Sequence, residues 1–234
     1  MDYIVKGFYD AFRIIIHFNK DFTDVVARSL LVSLTATLLA ALIAVPLFIL
    51  IGGVKLAGEG VISRILNSFM SLPSVTVGLL VLLFLSRRGP LGGLGLLFSV
   101  KAMIIAQLIY IFPLLSAMTY ETAKTSGRGI KKLGQTLGAG RLRIVFLTFR
   151  ELKDVFFIYV ITAFSKAISE VGAVMMVGGN IKGKTAVMTT TISMYNSMGE
   201  YELAIALGII LVLISCVINW IAYSLKEKGL KYGG

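Results

Sequence analysis

The sequence has very few of the residues from which disulfides and protein metal sites are built. Its 234 residues include one cysteine, Cys216, and one histidine, His17. A disulfide within the chain is therefore impossible, and a metal site made of several His or Cys ligands is excluded. Charged residues make up only 15% of the chain, against about 25% in soluble domains. This low charge content argues against a soluble enzyme and favours a membrane protein.

Apolar residues dominate what is present. They make up 57% of the chain, and the mean hydropathy is +0.89. Five runs are each long enough, at about 1.5 Å per helical residue, to cross roughly 30 Å of hydrocarbon. The predicted spans are about 25–52, 63–87, 100–122, 153–178 and 202–226. We therefore predict an all-α polytopic membrane protein with five transmembrane helices and a single domain, 1–234.

Local signals refine this prediction at two places. Apolar residues between positions 2 and 20 recur on one helical face, which predicts an amphipathic helix lying at the membrane interface. Those residues are Ile4, Val5, Phe8, Phe12, Ile15 and Ile16. Asp24 is a predicted N-cap for the first span. Pro46, Pro73 and Pro113 fall inside predicted spans, where proline is expected to kink the helix.

Positive charge is concentrated between the third and fourth predicted spans. The net charge is +11, and the loop 123–152 with its flanking Lys153 is rich in Lys and Arg. Such charge is typical of a cytoplasmic loop, because Lys and Arg are retained on that side of the membrane. Counting spans from this loop places the N-terminus outside and the C-terminus in the cytoplasm. We therefore interpret the charge as a topology signal and expect no nucleic-acid partner.

Two charged residues lie inside a predicted span. Lys166 and Glu170 are four residues apart, so on one helix they would share a face and could pair. Because isolated charges are costly in lipid, both are expected to face the protein interior or a water-filled path. Two interpretations remain open: a structural ion pair, or the lining or gate of a pathway.

The stretch that follows is rich in glycine and hydroxyl groups. Gly178, Gly179 and Asn180 are predicted to end the helix at the outer face. Thr185 and the nearby hydroxyl residues could donate hydrogen bonds to an oxyanion, or could cap a short amphipathic helix. The pore or gate candidates are therefore Lys166, Glu170, Gly178, Gly179, Asn180 and Thr185.

Several motifs resemble those of binding-protein-dependent ABC transporter permeases. That family carries Glu-Ala-Ala, three residues, Gly, nine residues and Ile-x-Leu-Pro in a cytoplasmic loop. Here Gly138 occupies the glycine position, whereas Lys132-Leu133-Gly134 replaces Glu-Ala-Ala and Arg150-Glu151 replaces Leu-Pro. The stretches 71–78, 86–92 and 166–180 resemble the oxyanion permeases for molybdate, tungstate and sulfate, and the whole set resembles the tungstate permeases in particular.

The resemblance implies a type I ABC importer permease architecture with a short cytoplasmic coupling helix. The residues implied in coupling to the ATPase are Lys132, Leu133, Gly134, Leu137, Gly138, Ala139 and Arg141. The implied partners are a second copy of the chain, ABC ATPase subunits, an extracytoplasmic oxyanion-binding protein and the lipid bilayer. The implied location is the cytoplasmic (inner) membrane of a prokaryote.

The expected function is passage of tungstate through the membrane, with molybdate or sulfate as alternatives. A more distant alternative is a coupling or scaffold subunit that forms no pore. We do not expect the chain to be an enzyme, to hold a cofactor, or to bind ATP through a phosphate-binding loop. ATP and magnesium would be used by the partner ATPase.

Overall fold

The described part of the chain is built from helices joined by turns and loops. The computed structural model describes residues 8–9, 12–13, 20–54 and 58–231, with side chains described up to residue 221 and at 223 and 224. The helices are α1 (Lys20–Gly52), α2 (Glu59–Met70), α3 (Ser74–Leu85), α4 (Val100–Thr122), α5 (Arg128–Thr136), α6 (Arg141–Glu151), α7 (Lys153–Ile168), α8 (Gly172–Gly178), α9 (Met188–Met198) and α10 (Tyr201–Lys231). A 3₁₀ turn lies at Gly92–Leu94 and a π turn at Ala123–Gly127. No strand occurs in these ranges, so the prediction of an all-α fold is confirmed for them.

The described residues form two compact units. The first unit contains those of Met1–Ala36, Pro73–Gln107 and Ser165–Ile218. The second unit contains those of Thr37–Leu72, Leu108–Phe164 and Asn219–Gly234. Four helices, α1, α4, α7 and α10, contribute residues to both units.

Three helical stretches are long and apolar enough to cross a membrane. They are Lys20–Gly52, the continuous stretch Val100–Thr136, and Tyr201–Ile221. Two further pairs are each broken by a sharp bend, of 89° between α2 and α3 and of 58° between α7 and α8. Within the described residues, the number of candidate spans is therefore three, or up to five if each bent pair crosses once.

The break between α2 and α3 corrects one prediction. Pro46 and Pro113 lie inside α1 and α4 as expected. Pro73 does not kink a continuous helix, because α2 ends at Met70 and Pro73 itself precedes α3 with an extended ψ of 133°. The physical reason is the proline ring, which disfavours helical geometry at the residue before it.

Two N-terminal predictions have different outcomes. The predicted interfacial helix lies mostly outside the described residues, although Phe8 and Phe12 are helical and exposed. The prediction that Asp24 is the N-cap of the first span is wrong. Helix α1 already includes Lys20, so Asp24 lies inside it.

Small residues allow very close helix packing in the first unit. A Cβ atom on Gly78 of α3 would lie only 2.6 Å from the Cα atom of Ala173 in α8. A Cβ atom on Gly172 would likewise lie 2.5 Å from a methyl carbon of Val75. The backbones of α3 and α8 therefore pack against each other, as small residues permit in membrane proteins.

The second unit has an aliphatic and aromatic core. Val45, Ile49 and Phe156 are buried together. The ring of Phe156 stacks on Phe149 with a centroid distance of 6.0 Å. Such aromatic pairs add about 0.5–1.5 kcal/mol to the gain from burial alone. This core joins α1 to α6 and α7 and thereby fixes the position of α6.

Candidate functional site

The predicted coupling residues come together at the turn between α5 and α6, which we call the coupling turn (residues 132–142). Helix α5 ends at Thr136, and Gly138 follows with a φ of +74°. The amide of Gly138 donates to the carbonyl oxygen of Gln135 at 3.0 Å, and the amide of Ala139 donates to that of Gly134 at 2.9 Å. These two bonds form a Schellman motif, whose left-handed position favours glycine. Gly138 therefore ends this stretch of helix in the left-handed conformation.

Gly134 holds the two helices of the coupling turn close together. It is buried, and a Cβ atom placed on it would contact Ile144 of α6 at 3.4 Å and Ala139 at 3.7 Å. Because α5 and α6 pack at this point and the turn satisfies its own carbonyl groups, the hairpin is locally well determined.

The coupling turn exposes large apolar side chains. The exposed fractions are 65% for Leu133, 77% for Leu137 and 82% for Leu142. Lys132 and Arg141 are exposed beside them. A cluster of exposed leucines bordered by cations is the composition expected of a surface that another protein covers.

Other cations of the basic stretch have partners inside the second unit. Arg128 forms an ion pair with Glu59 of α2. Lys131 donates from Nζ to the carbonyl oxygen of Gly53 at 2.9 Å. The Lys124 Nζ lies 3.7 Å from a Glu121 carboxylate oxygen. We call these contacts the tether network, because they join α5 and the end of α4 to the end of α1 and to α2.

The tether network was missed by the sequence analysis. Ser63 of α2 donates to the Glu121 carboxylate at 2.5 Å and also accepts from Lys124 at 3.2 Å. Next to it, the helix widens into the π turn Ala123–Gly127. The π geometry is rare and often marks a functional position. Local sequence patterns cannot predict these contacts, because Glu59 and Ser63 are more than 55 residues away from their partners along the chain.

In the first unit, Glu170 accepts hydrogen bonds from the start of α8. Helix α7 ends at Ile168, so the prediction that Lys166 and Glu170 lie on one helix is wrong. The Glu170 side chain is only 5% exposed, and its carboxylate accepts the amides of Ala173 at 2.7 Å and Val174 at 3.2 Å. These are amides of the first turn of α8, which have no partner within the helix. Lys166 is half-buried near the end of α7.

The remaining gate candidates stabilise one loop, which we call the outer loop (residues 179–187). The buried Thr185 hydroxyl donates to the carbonyl oxygen of Gly178 at 2.6 Å and accepts the amide of Ile181 at 2.9 Å. Gly179 and Asn180 have φ angles of +68° and +48°. These two left-handed residues turn the chain away from α8.

Helix α9, which follows the outer loop, is capped by residues other than Thr185. The amide of Met188 donates to the Ser29 hydroxyl at 2.7 Å, and that of Val187 donates to the Thr190 hydroxyl at 3.1 Å. Thr185 itself is therefore not the cap, because its hydroxyl already serves the outer loop, but the nearby Thr190 confirms the prediction that a hydroxyl residue of this stretch caps the helix.

Two charged side chains also hold the outer loop. The Arg28 guanidinium donates to the carbonyl oxygens of Ala186 at 2.8 Å and Gly183 at 3.1 Å. Lys182 pairs with Asp21 at 2.9 Å. A hydrogen bond to Asp21, and then the negative charge of Asp21, raise the pKa of Lys182 above its usual value, so it stays charged at neutral pH.

Comparison with known proteins assigns the family. Residues 44–228 match the family described as binding-protein-dependent transport system inner membrane component. This chain belongs to that family. The resemblance inferred from the motifs is thereby confirmed, and the exposed coupling turn falls within the matched part of the permease.

The permease is similar to several named transport proteins. It is 50% identical to the tungstate uptake system permease protein TupB of Peptoclostridium acidaminophilum, over 97% of this chain and 100% of that protein. It is 33% identical to TupB of Campylobacter jejuni, over 97% and 95% of the two chains. It is 28% identical to the molybdenum transport system permease protein ModB of Escherichia coli K12, over 88% and 97%.

One motif in the permease was overlooked in the sequence. Gly178–Thr185 matches the phosphate-binding pattern G-x-x-x-x-G-K-[ST]. A phosphate-binding loop follows a strand and points its amides at the phosphates. Here the pattern follows α8, and the amides of Lys184, Thr185 and Ala186 donate to the Ile181 carbonyl oxygen at 2.9–3.1 Å. These three amides are therefore engaged within the outer loop and do not point at a phosphate.

Proposed function

We propose that this permease passes tungstate through the membrane as one subunit of an ATP-driven importer. The exposed leucines of the coupling turn carry this proposal, because a monomeric protein gains nothing from exposing Leu133, Leu137 and Leu142 together. The tungstate uptake permease that shares half of its residues with this chain supports the substrate.

The proposed assembly contains two copies of the chain. In it, ABC ATPase subunits bind the two coupling turns, use ATP and magnesium, and leave the permease without a cofactor of its own. An extracytoplasmic protein delivers the oxyanion. Each copy crosses the cytoplasmic membrane of a prokaryote five times, with α2–α3 and α7–α8 as two broken spans. Its N-terminus is outside and its C-terminus is in the cytoplasm.

The tether network suggests how movement of the coupling turn reaches other helices of the second unit. Arg128 and Lys131 on α5 hold Glu59 of α2 and the Gly53 carbonyl after α1. A shift of α5 imposed by an ATPase would therefore pull on both. This is the physical basis for proposing coupling through α5 rather than through an isolated surface helix.

The gate candidates are proposed to act through the shape of the outer loop. Glu170 holds the first turn of α8, and Thr185 holds the loop that follows it. Their hydrogen-bonding groups are engaged within the chain, which favours positioning over direct binding of the oxyanion. Lys166, Gly178, Gly179 and Asn180 are proposed to shape the same end of the pathway.

Transport by the reconstituted complex tests the proposal. The permease, its ATPase and its binding protein are placed in liposomes, and uptake of tungstate is measured with ATP, without ATP and with an ATPase mutant unable to hydrolyse ATP. We expect uptake only with ATP hydrolysis and with all three proteins. Uptake that does not require the permease would refute the proposal.

The same liposomes distinguish tungstate transport from the two alternatives, which are transport of molybdate or sulfate and a scaffold subunit that forms no pore. Molybdate is the specific alternative, since the Escherichia coli molybdenum permease is 28% identical to this chain; preferred uptake of molybdate or sulfate would favour those substrates. The scaffold alternative predicts ATPase stimulation without oxyanion entering the liposomes.

A further inference from the structure

The first unit contains a cavity of about 460 Å³ beside the outer loop. Its walls include the first turns of α1, at Phe22 and Val25, and the first turns of α10, at Leu203 and Leu207. Both helices are candidate membrane spans. Charged and apolar residues both line the cavity at the start of these helices, as is typical of the level where hydrocarbon meets water, and we place it there.

The polar part of the cavity offers donors to a negatively charged group. Three cations, Arg13, Arg28 and Lys182, line it. Thr191 lines it as well, and its hydroxyl has no hydrogen-bond partner among the described residues although the residue is only 4% exposed. An unpartnered polar atom that is buried costs about 1–3 kcal/mol. A ligand that accepts from Thr191 would remove this cost.

The same cavity also contains negative charge. Asp21 and Asp24 line it beside the cations. Carboxylates beside the cations favour a ligand that carries a positive group as well as a negative one. The cavity is also much larger than one oxyanion, within the range of about 300–1,000 Å³ that holds small organic ligands. A ligand with one negative group, one positive group and apolar chains matches all three features.

We propose that this cavity binds the headgroup of a zwitterionic phospholipid with a primary amine. The phosphate lies toward Arg28, Lys182 and Thr191, and the ammonium group toward Asp21 and Asp24. The acyl chains leave along the apolar wall formed by Val25, Leu203 and Leu207. Because Arg28 and Lys182 also hold the outer loop, the bound lipid joins that loop to the membrane. The proposal is independent of which ion the permease transports.

Lipid binding to the purified permease tests this proposal. The full-length permease in detergent is titrated with dioleoylphosphatidylethanolamine or dioleoylphosphatidylglycerol, and bound lipid is counted by native mass spectrometry. We expect one phosphatidylethanolamine per chain, bound about tenfold more tightly than phosphatidylglycerol, which is the factor that about 1.4 kcal/mol of pairing with the ammonium group would give. Equal or tighter binding of phosphatidylglycerol would overturn the proposal.

Substitutions locate the site. Thr191→Val removes the unpartnered hydroxyl, and Thr162→Val is its matched control because the Thr162 hydroxyl bonds within its own helix, to Ile158. We expect Thr191→Val to weaken binding of both lipids about tenfold, as expected for a hydrogen bond to a charged group, and Thr162→Val to leave it unchanged. Asp24→Asn is expected to abolish the preference for phosphatidylethanolamine. Wild-type binding by Thr191→Val would overturn the proposal.

Two further measurements keep the test decisive. If Thr191→Val does not fold, the exposed Lys182→Gln replaces it and is expected to weaken binding severalfold, whereas the exposed Lys101→Gln is not. Sodium tungstate and inorganic phosphate are added as competitors. Displacement of the lipid by either ion, dependent on Thr191, would show a site for a free oxyanion and overturn the proposal.

Discussion

The coupling turn and the outer loop have similar backbone turns but use their side chains differently. Both follow a short helix and both turn at glycines with positive φ, Gly138 in one and Gly179 in the other. The coupling turn satisfies its backbone internally and leaves Leu133, Leu137 and Leu142 exposed. In the outer loop, the Thr185 hydroxyl and two nitrogens of Arg28 bond to carbonyl oxygens of the chain and hold the loop together. One region leaves apolar side chains uncovered, and the other uses its polar groups to hold its own shape.

The largest effect is expected at the contact between α3 and α8, because the outer loop begins directly after α8. Gly78→Ala places a methyl group 2.6 Å from the Ala173 Cα, a backbone atom that cannot give way. We expect a loss of about 3 kcal/mol, at the upper end of overpacking effects, seen as a lower unfolding temperature in detergent. Gly208→Ala is the control, since no atom lies within 4 Å of the added Cβ. Equal stability of the two variants would contradict the close packing.

A smaller effect separates a structural Thr185 from one that binds solute. Thr185→Val leaves the Gly178 carbonyl and the Ile181 amide without their partner. We expect a loss of about 2 kcal/mol in stability. Thr125→Val, an exposed threonine bonded to its own helix, is expected to change stability by less than about 0.5 kcal/mol. A stable Thr185→Val variant with altered oxyanion selectivity would instead indicate a pore residue.

The smallest effect is expected in the coupling turn. No atom lies near the Gly138 Cβ position, so alanine there is disfavoured only by the φ of +74°. This geometry costs about 1 kcal/mol for a residue with a side chain. Gly129→Ala in α5 is the control and is expected to be neutral or slightly stabilising. The unfolding temperature and the stimulation of the ATPase are measured for both variants. If Gly138→Ala changes neither quantity, the left-handed conformation assigned to Gly138 is contradicted.

The sequence predicts the helical class and the coupling turn because both depend on local patterns. Long apolar runs predict helices, and a glycine after a helix predicts the left-handed position that Gly138 adopts. The sequence is less informative where a helix breaks without leaving the apolar run. Glu170 looked like half of an ion pair with Lys166, but a carboxylate can equally satisfy the amides of a new helix, and here it does.

Contacts between distant segments could not be predicted from one sequence. Arg28 holds the outer loop across 158 residues, and Ser29 caps α9 across 159. Neither residue differs locally from an ordinary residue near the start of a helix. The phosphate-binding pattern in Gly178–Thr185 shows the converse, since the local match lies after a helix and three of its amides bond to the Ile181 carbonyl oxygen.

Binding of the purified partner ATPase to the permease tests the central claim most directly. The double variant Leu137→Ser with Leu142→Ser is compared with wild type and with Leu94→Ser, which changes an exposed leucine in the turn after α3. Because interface leucines that are exposed in the free protein contribute to binding and not to folding, we expect an unchanged unfolding temperature. We expect the affinity for the ATPase to fall about tenfold or more, and Leu94→Ser to bind as wild type. Wild-type affinity of the double variant would contradict the assignment of the coupling turn.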